Sequence, residues 1–172
     1  MQWQLIESDA ALQADLAQAQ GSTVVAVDTE FMRRNTFYPQ VALVQLCFGE
    51  TALLVDPLAI KDTAPLAALL TDPGVVKVLH SASEDLEVFS RWLGVLPQPL
   101  FDTQRAAALL NLGFGMGYSA LVKLVCDIEL PKGETTSDWL RRPLTTSQCE
   151  YAAQDVAWLL PVWRSLEQLC LQ

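Results

Sequence analysis

The chain has 172 residues, 51% of them hydrophobic, which suits one domain with a substantial core and is too apolar for a disordered chain. Eleven Lys and Arg stand against 20 Asp and Glu, a formal charge of −9, which excludes a surface that grips polyanions by positive charge alone. An enzyme that holds phosphate through metal ions is not excluded. No run of 18 or more apolar residues occurs, and the opening MQWQLIESDAAL lacks the basic start and apolar run of a signal peptide. Cys47, Cys126, Cys149 and Cys170 are widely spaced with no CxxC, which argues against structural zinc and for a reducing compartment. The expected location is the cytoplasm.

In chain order, LIESDAALQADLAQAQG (5–21) reads as a short helix with Ser8 as its N-cap and Gly21 as its stop. TVVAVDTEF (23–31), QVALVQLCF (40–48) and TALLVDP (51–57) read as strands, the last two joined by a turn at Gly49-Glu50. A helix is expected around APLAALLTD, then a strand at GVVKVL (74–79) after the Pro73-Gly74 break. SASEDLEVFSRWLG (81–94) reads as a helix, with Ser81 and Glu84 as a capping box and Gly94 as its end. PQPLFD (97–102) is a short extended piece, and Asp102 is placed to cap the helix TQRAAALLN. LGFGMGYSALVKLVCD is a glycine-rich turn into another helix, and IELPKGETTSDWLRRPL (128–144) is a polar loop. The last helix starts with a second capping box, Thr145 and Gln148, and Pro161 is expected to kink it. A hairpin beside helix–strand units predicts a mixed sheet with helices packed on it, an α/β layer architecture.

Asp28 and Glu30 end an otherwise core-type strand. Residues i and i+2 share a strand face, so the two carboxylates project together. Like charges at that spacing repel and raise each other's pKa unless a cation lies between them, and hard oxygen donors suit Mg²⁺ or Mn²⁺. The competing explanation is a strand end running into solvent. Asp85 falls in the first turn of its helix, where the helix dipole alone favours an acid. Tyr151 and Asp155, four apart, share one face of an apolar helix. A tyrosine there is also explained as a core residue with a satisfied hydroxyl.

As an ordered set, these residues carry a resemblance. VDTEFMRRNTFYPQVALVQL, LHSASEDLEVF, LPQPLFDTQ, TSDWLRRPLT and QCEYAAQDVAWLLP resemble the DEDD superfamily of 3′→5′ exonucleases, and within it the ribonuclease D family. Tyr151, four residues before Asp155, resembles the tyrosine subgroup; the histidine subgroup has His five residues before, where this chain has Glu150. The resemblance implies a ribonuclease H-like fold, a mixed five-stranded sheet flanked by helices. It implies that Asp28, Glu30, Asp85 and Asp155 hold two divalent ions, Mg²⁺ or Mn²⁺. Asp28 would bridge both, Glu30 and Asp155 would complete the site of the attacking water, and Asp85 would support the second ion. Tyr151, whose ordinary pKa near 10 makes it a poor free base, would orient that water.

For substrate contacts, Phe31 and the backbone at Thr29 are candidates to grip a terminal nucleotide, since aromatic stacking tolerates any base. Lys132 and Arg142, with Arg141, Arg33 and Arg34, are candidates for phosphate contacts, against ordinary surface charge as the alternative. His80, the single histidine, is read as a hydrogen-bonded residue beneath the site. The resemblance implies hydrolysis of RNA 3′ ends to 5′-monophosphates, with transfer RNA precursors as substrates; no apolar seam in the sequence demands a partner, so a monomer is expected. It also implies RNA-binding helical domains beyond residue 172 in a longer chain. The alternatives are a DNA exonuclease of the same subgroup, a non-catalytic RNA-binding module, and a simple acidic metal-binding domain.

Overall fold

The computed structural model describes residues 1–34, 37–133 and 137–172. Its strands are β1 (Gln2–Ile6), β2 (Val24–Met32), β3 (Gln40–Cys47), β4 (Thr51–Val55), β5 (Val76–Leu79) and β6 (Leu100–Asp102). Its helices are α1 (Asp9–Gln18), α2 (Ala64–Thr71), α3 (Ser83–Leu93), α4 (Thr103–Leu109), α5 (Tyr118–Cys126), α6 (Thr146–Ala157) and α7 (Leu159–Cys170).

The strands form one sheet in the order β1-β4-β3-β2-β5-β6. β3 is antiparallel to both β2 and β4, whereas β1–β4, β2–β5 and β5–β6 are parallel. This is the mixed α/β sheet expected, with six strands where the resemblance implied five. The sixth is β1, and it takes Leu5 and Ile6 from the helix expected to start there. Trp3 and Leu5 pack on one side of the sheet and Ile6 on the other, while Gln2 and Gln4 are exposed.

The central strand β2 is buried on both faces, which its valine run requires. Val25 and Val27 join the core beneath α3, with Val44, Leu46, Val88 and Phe89. Ala26 joins the core beneath α6, with Leu43, Leu54, Ala152, Ala153 and Val156. A third cluster packs α4, α5 and α7 together through Ala107, Leu121, Val122, Val162 and Leu166.

Two local expectations are corrected. The Ser81–Glu84 capping box does not form: α3 has no side-chain cap of its own, and Ser81 sits at φ +58°. Asp102, at the end of β6, accepts from Ser81 N and Ala82 N at 2.9 Å each and also from Gln104 N at 2.9 Å. One carboxylate thus serves the starts of α3 and α4, and the long-range partner displaces the local one. The C-terminal helix is also broken in two at Trp158. The Tyr118 hydroxyl donates to Gln154 O at 2.8 Å and accepts from Trp158 N at 3.1 Å, so it sits inside the i→i−4 ladder. Pro161, expected to kink one continuous helix, lies in the first turn of α7, where a missing N–H costs little. The Thr145–Gln148 capping box, the Gly94 stop and the Asp102 cap of α4 form as expected. Among the described residues, no helix is long and apolar enough to cross a membrane.

Candidate active site

β5 pairs with β2 only as far as Ala26↔Val78, so from Val27 onward β2 has β3 on one side and, among the described residues, no strand on the other. This opening lies past the carboxyl ends of two parallel strands, where α/β sheets form their crevices. Asp28 and Glu30 stand there on the α6 side of the sheet. α6 lies across that side and brings Asp155, so that carboxylate oxygens of Asp28, Glu30 and Asp155 all lie within 4.8 Å of one another.

The electrostatics follow from burial and crowding. Burial, then the charges of Asp85, Asp155 and Glu30, hold the Asp28 carboxyl well above the usual carboxylate range. Burial and Asp155 push Glu30 up to about 9. Burial raises Asp155 to about 6, against hydrogen bonds from Glu30 and Asp28 that lower it. None of the ion pairs among the described residues involves these three groups. A half-buried carboxylate trio without a cationic partner among the described residues is a donor set of hard oxygens, and a divalent metal ion fits it by charge and by ligand type.

Asp85 reaches the site from the opposite side of the sheet. It is buried in the first turn of α3 and accepts a short hydrogen bond from the Thr29 hydroxyl. Burial pushes its carboxyl up to about 7. It faces Asp28 through the field rather than by joining the trio, and it is the largest of the charges acting on Asp28. The four acids expected from the sequence therefore gather as three plus one.

Tyr151 lies one turn before Asp155 on α6, its ring tilted against buried Trp139 at 6.0 Å between centroids. Burial, then Asp155, Glu30 and Asp28, push its hydroxyl up to about 12, so it stays protonated at neutral pH. The loop before it lies close: a Cβ on Gly133 would come within 1.7 Å of the Tyr151 ring. An open cleft of about 1200 Å³ leads to this corner, lined by Tyr118, Lys132, Gly133, Glu150, Tyr151 and Asp155 among others.

The remaining candidates separate. Lys132 is exposed on the cleft wall. Phe31 packs half-buried against the α3-side core, and the Thr29 side chain is turned toward Asp85, away from the trio. His80 is held on both ring nitrogens, at 2.8 Å from Thr103 Oγ1 and 2.8 Å from Met116 O, and burial lowers its pKa. Arg142 is not free to meet a phosphate. It forks onto Asp56 at 2.9 and 3.0 Å and donates to Ala42 O at 2.7 Å and Trp139 O at 2.6 Å. Arg33 pairs with Glu87 at 3.1 Å, and Arg34 with Asp138 at 2.7 Å. The middle of the polar loop, 134–136, lies outside the described residues.

Sequence reasoning missed Gln45. It is fully buried in β3, and its amide nitrogen lies 3.2 Å from Glu30 Oε1 and 3.5 Å from Asp28 Oδ2. A lone amide inside VALVQLC was its only local signal; the rest is the register that sets Gln45 opposite Asp28.

A sheet crevice holding a half-buried carboxylate trio beside a tyrosine is a donor set that suits metal-assisted phosphoryl hydrolysis. Residues 3–170 match the family model described as 3'-5' exonuclease, and the chain belongs to that family. It is 54% identical over 167 residues to ribonuclease D of Pseudomonas paraeruginosa, covering 97% of this chain and 44% of the relative. It is similar to the solved structure of Escherichia coli RNase D, described as an exoribonuclease involved in structured RNA processing. That match has a TM-score of 0.95 at 46% identity and covers 98% of this chain and 45% of the other. Brucella melitensis NrnC with bound Mg²⁺ matches with a TM-score of 0.83 at 28% identity, over 98% of this chain and 81% of that one. The chain spans less than half the length of the ribonuclease D relatives it matches.

Proposed function

We propose that the domain is a metal-dependent 3′→5′ exoribonuclease that removes nucleotides from RNA 3′ ends and releases 5′-monophosphates. The observation that carries this reading is the Asp28–Glu30–Asp155 trio, half-buried and without a cationic partner among the described residues, with Asp155 lining an open cleft. These three would hold divalent ions, two in number and Mg²⁺ or Mn²⁺ in kind, with Asp85 supporting from the α3 side. Such ions, when bound, supply the charge that stabilises the attacking and leaving oxygens of an in-line displacement.

The chain's own residues do the rest. β2 fixes Asp28 and Glu30 on a strand with little freedom to move, and α6 fixes Asp155 against them. Tyr151, protonated at neutral pH, orients the attacking water through its hydroxyl and stacks its ring where the terminal nucleotide approaches. Lys132 meets backbone phosphate on the cleft wall. The cleft exceeds the roughly 300–1,000 Å³ typical of single-ligand pockets, which favours a chain end as substrate. Transfer RNA precursors fit the similarity to an enzyme of structured RNA processing. The domain would act as a monomer in the cytoplasm, a setting that agrees with its four free thiols.

The test is digestion of matched 3′-tailed RNA and DNA oligonucleotides with Mg²⁺, with Mn²⁺ and with EDTA. RNA should shorten from its 3′ end only with metal, and Asp28→Ala and Asp155→Ala should abolish this while keeping the native circular dichroism spectrum. Full activity of either variant would overturn the assignment, and a preference for DNA would redirect it to a DNA exonuclease.

A further inference from the structure

We infer that Gln45 is a positioning residue that sets the divalent-ion affinity of the carboxylate trio, an inference resting on the metal-dependent reading above. Gln45 sits opposite Asp28 in the β2–β3 ladder and is fully buried in an otherwise apolar strand. Burying an amide there is costly unless it is hydrogen-bonded. Its Nε2 meets three acceptors: Glu30 Oε1 at 3.2 Å, Ala152 O at 3.4 Å and Asp28 Oδ2 at 3.5 Å. Its Oε1 has no partner among the described residues.

The orientation of the amide is fixed by these neighbours. Once both carboxylates are ionised, as ligands to a cation must be, flipping it would set Oε1 against two carboxylate oxygens and a carbonyl, all of them acceptors. So the side chain accepts an orphaned oxygen in order to place an N–H₂ among the acids. It reaches β2 through both carboxylates and α6 through Ala152 O, three residues before Asp155. One group therefore ties together the two elements that supply the trio.

A neutral donor suits this place. A Lys or Arg would cancel the negative charge that a metal ion needs, and a Leu would leave the carboxylates free to splay apart. The amide fixes their positions and leaves their charge intact. Partners of this kind behind metal ligands typically change affinity by about 10–100-fold when removed.

The test uses Gln45→Met, similar in length and without a donor, and Gln45→Asn, which keeps the amide but cannot span the gap. Mn²⁺ binding to each chain is measured by isothermal titration calorimetry, with melting in EDTA followed by circular dichroism. Both variants should bind Mn²⁺ about 10–100-fold more weakly than the wild type. Gln45→Met should melt in EDTA no lower than wild type, since the orphaned oxygen is gone. RNA cleavage by either variant should recover as Mn²⁺ is raised. Wild-type affinity in either folded variant, or a loss of affinity only in proportion to lost native signal, overturns the inference and leaves the exonuclease reading standing. A wild-type chain that binds no Mn²⁺ overturns both.

Discussion

For Arg142 the sequence left a phosphate contact beside ordinary surface charge, and the fold shows a third role, a structural tie. In the fold its side chain is 25% exposed, while the Asp56 side chain it clamps is 7% exposed. Replacing Arg142 with Ala leaves the buried Asp56 carboxylate with the Leu58 N–H at 2.9 Å as its remaining donor. It also strips Ala42 O and Trp139 O of their side-chain donor. Breaking a buried ion pair from one side costs about 3–5 kcal/mol, because the surviving charge stays buried. Against a typical domain stability of about 5–15 kcal/mol, that is a large fraction. Urea denaturation followed by tryptophan fluorescence should show the loss, and Arg142→Lys should recover part of it, having charge but no fork. RNA binding by fluorescence anisotropy, measured where both proteins are folded, should be nearly unchanged. Stability within about 1 kcal/mol of wild type together with a tenfold loss of RNA affinity would refute the reasoning.

Four further outcomes are expected. In EDTA, the melting temperature should rise as pH falls from 9 to 7, because Glu30 at about 9 and Asp85 at about 7 bind protons more tightly folded than unfolded. Saturating Mg²⁺ should flatten that slope by keeping the carboxylates ionised, and a flat or inverted profile in EDTA would contradict it. Asp102→Ala should cost about 2 kcal/mol in urea titrations, roughly one capping contribution for each of the two helix starts it serves. Tyr118→Phe should cost about 1–2 kcal/mol and speed amide exchange at Trp158, whose N–H loses its acceptor. Tyr151→Phe should slow RNA cleavage on the order of 10²-fold while Mn²⁺ binding, read by calorimetry, stays at the wild-type value.

What was legible in the sequence was what a single element dictates. A period of two puts Asp28 and Glu30 on one face, and a period of 3.6 puts Tyr151 one turn from Asp155; the structure keeps both. What was not legible depended on which elements meet. The Ser81 capping box had the right local spacing, yet Asp102 lands on that helix start from β6 and takes over its N–H groups. β1 carried a period-two pattern in its sequence, but its last residues also continue a helical one, and only the parallel partner β4 decides between them. Arg142 looked like surface charge until β3 and β4 brought Ala42 and Asp56 beneath it.

The same distinction explains the site. The trio is assembled from two elements, and burial with the neighbouring negative charges raises the proton affinity of Asp28 and Glu30. The apolar packing of Ala26, Ala152, Ala153 and Val156 brings α6 onto β2 and supplies the work of pressing Asp155 against Asp28 and Glu30. The trio is therefore a strained product of a well-packed core. Glu30→Gln should therefore raise the melting temperature measured in EDTA most above pH 9, where the wild-type carboxyl is ionised in the fold, and less at pH 7.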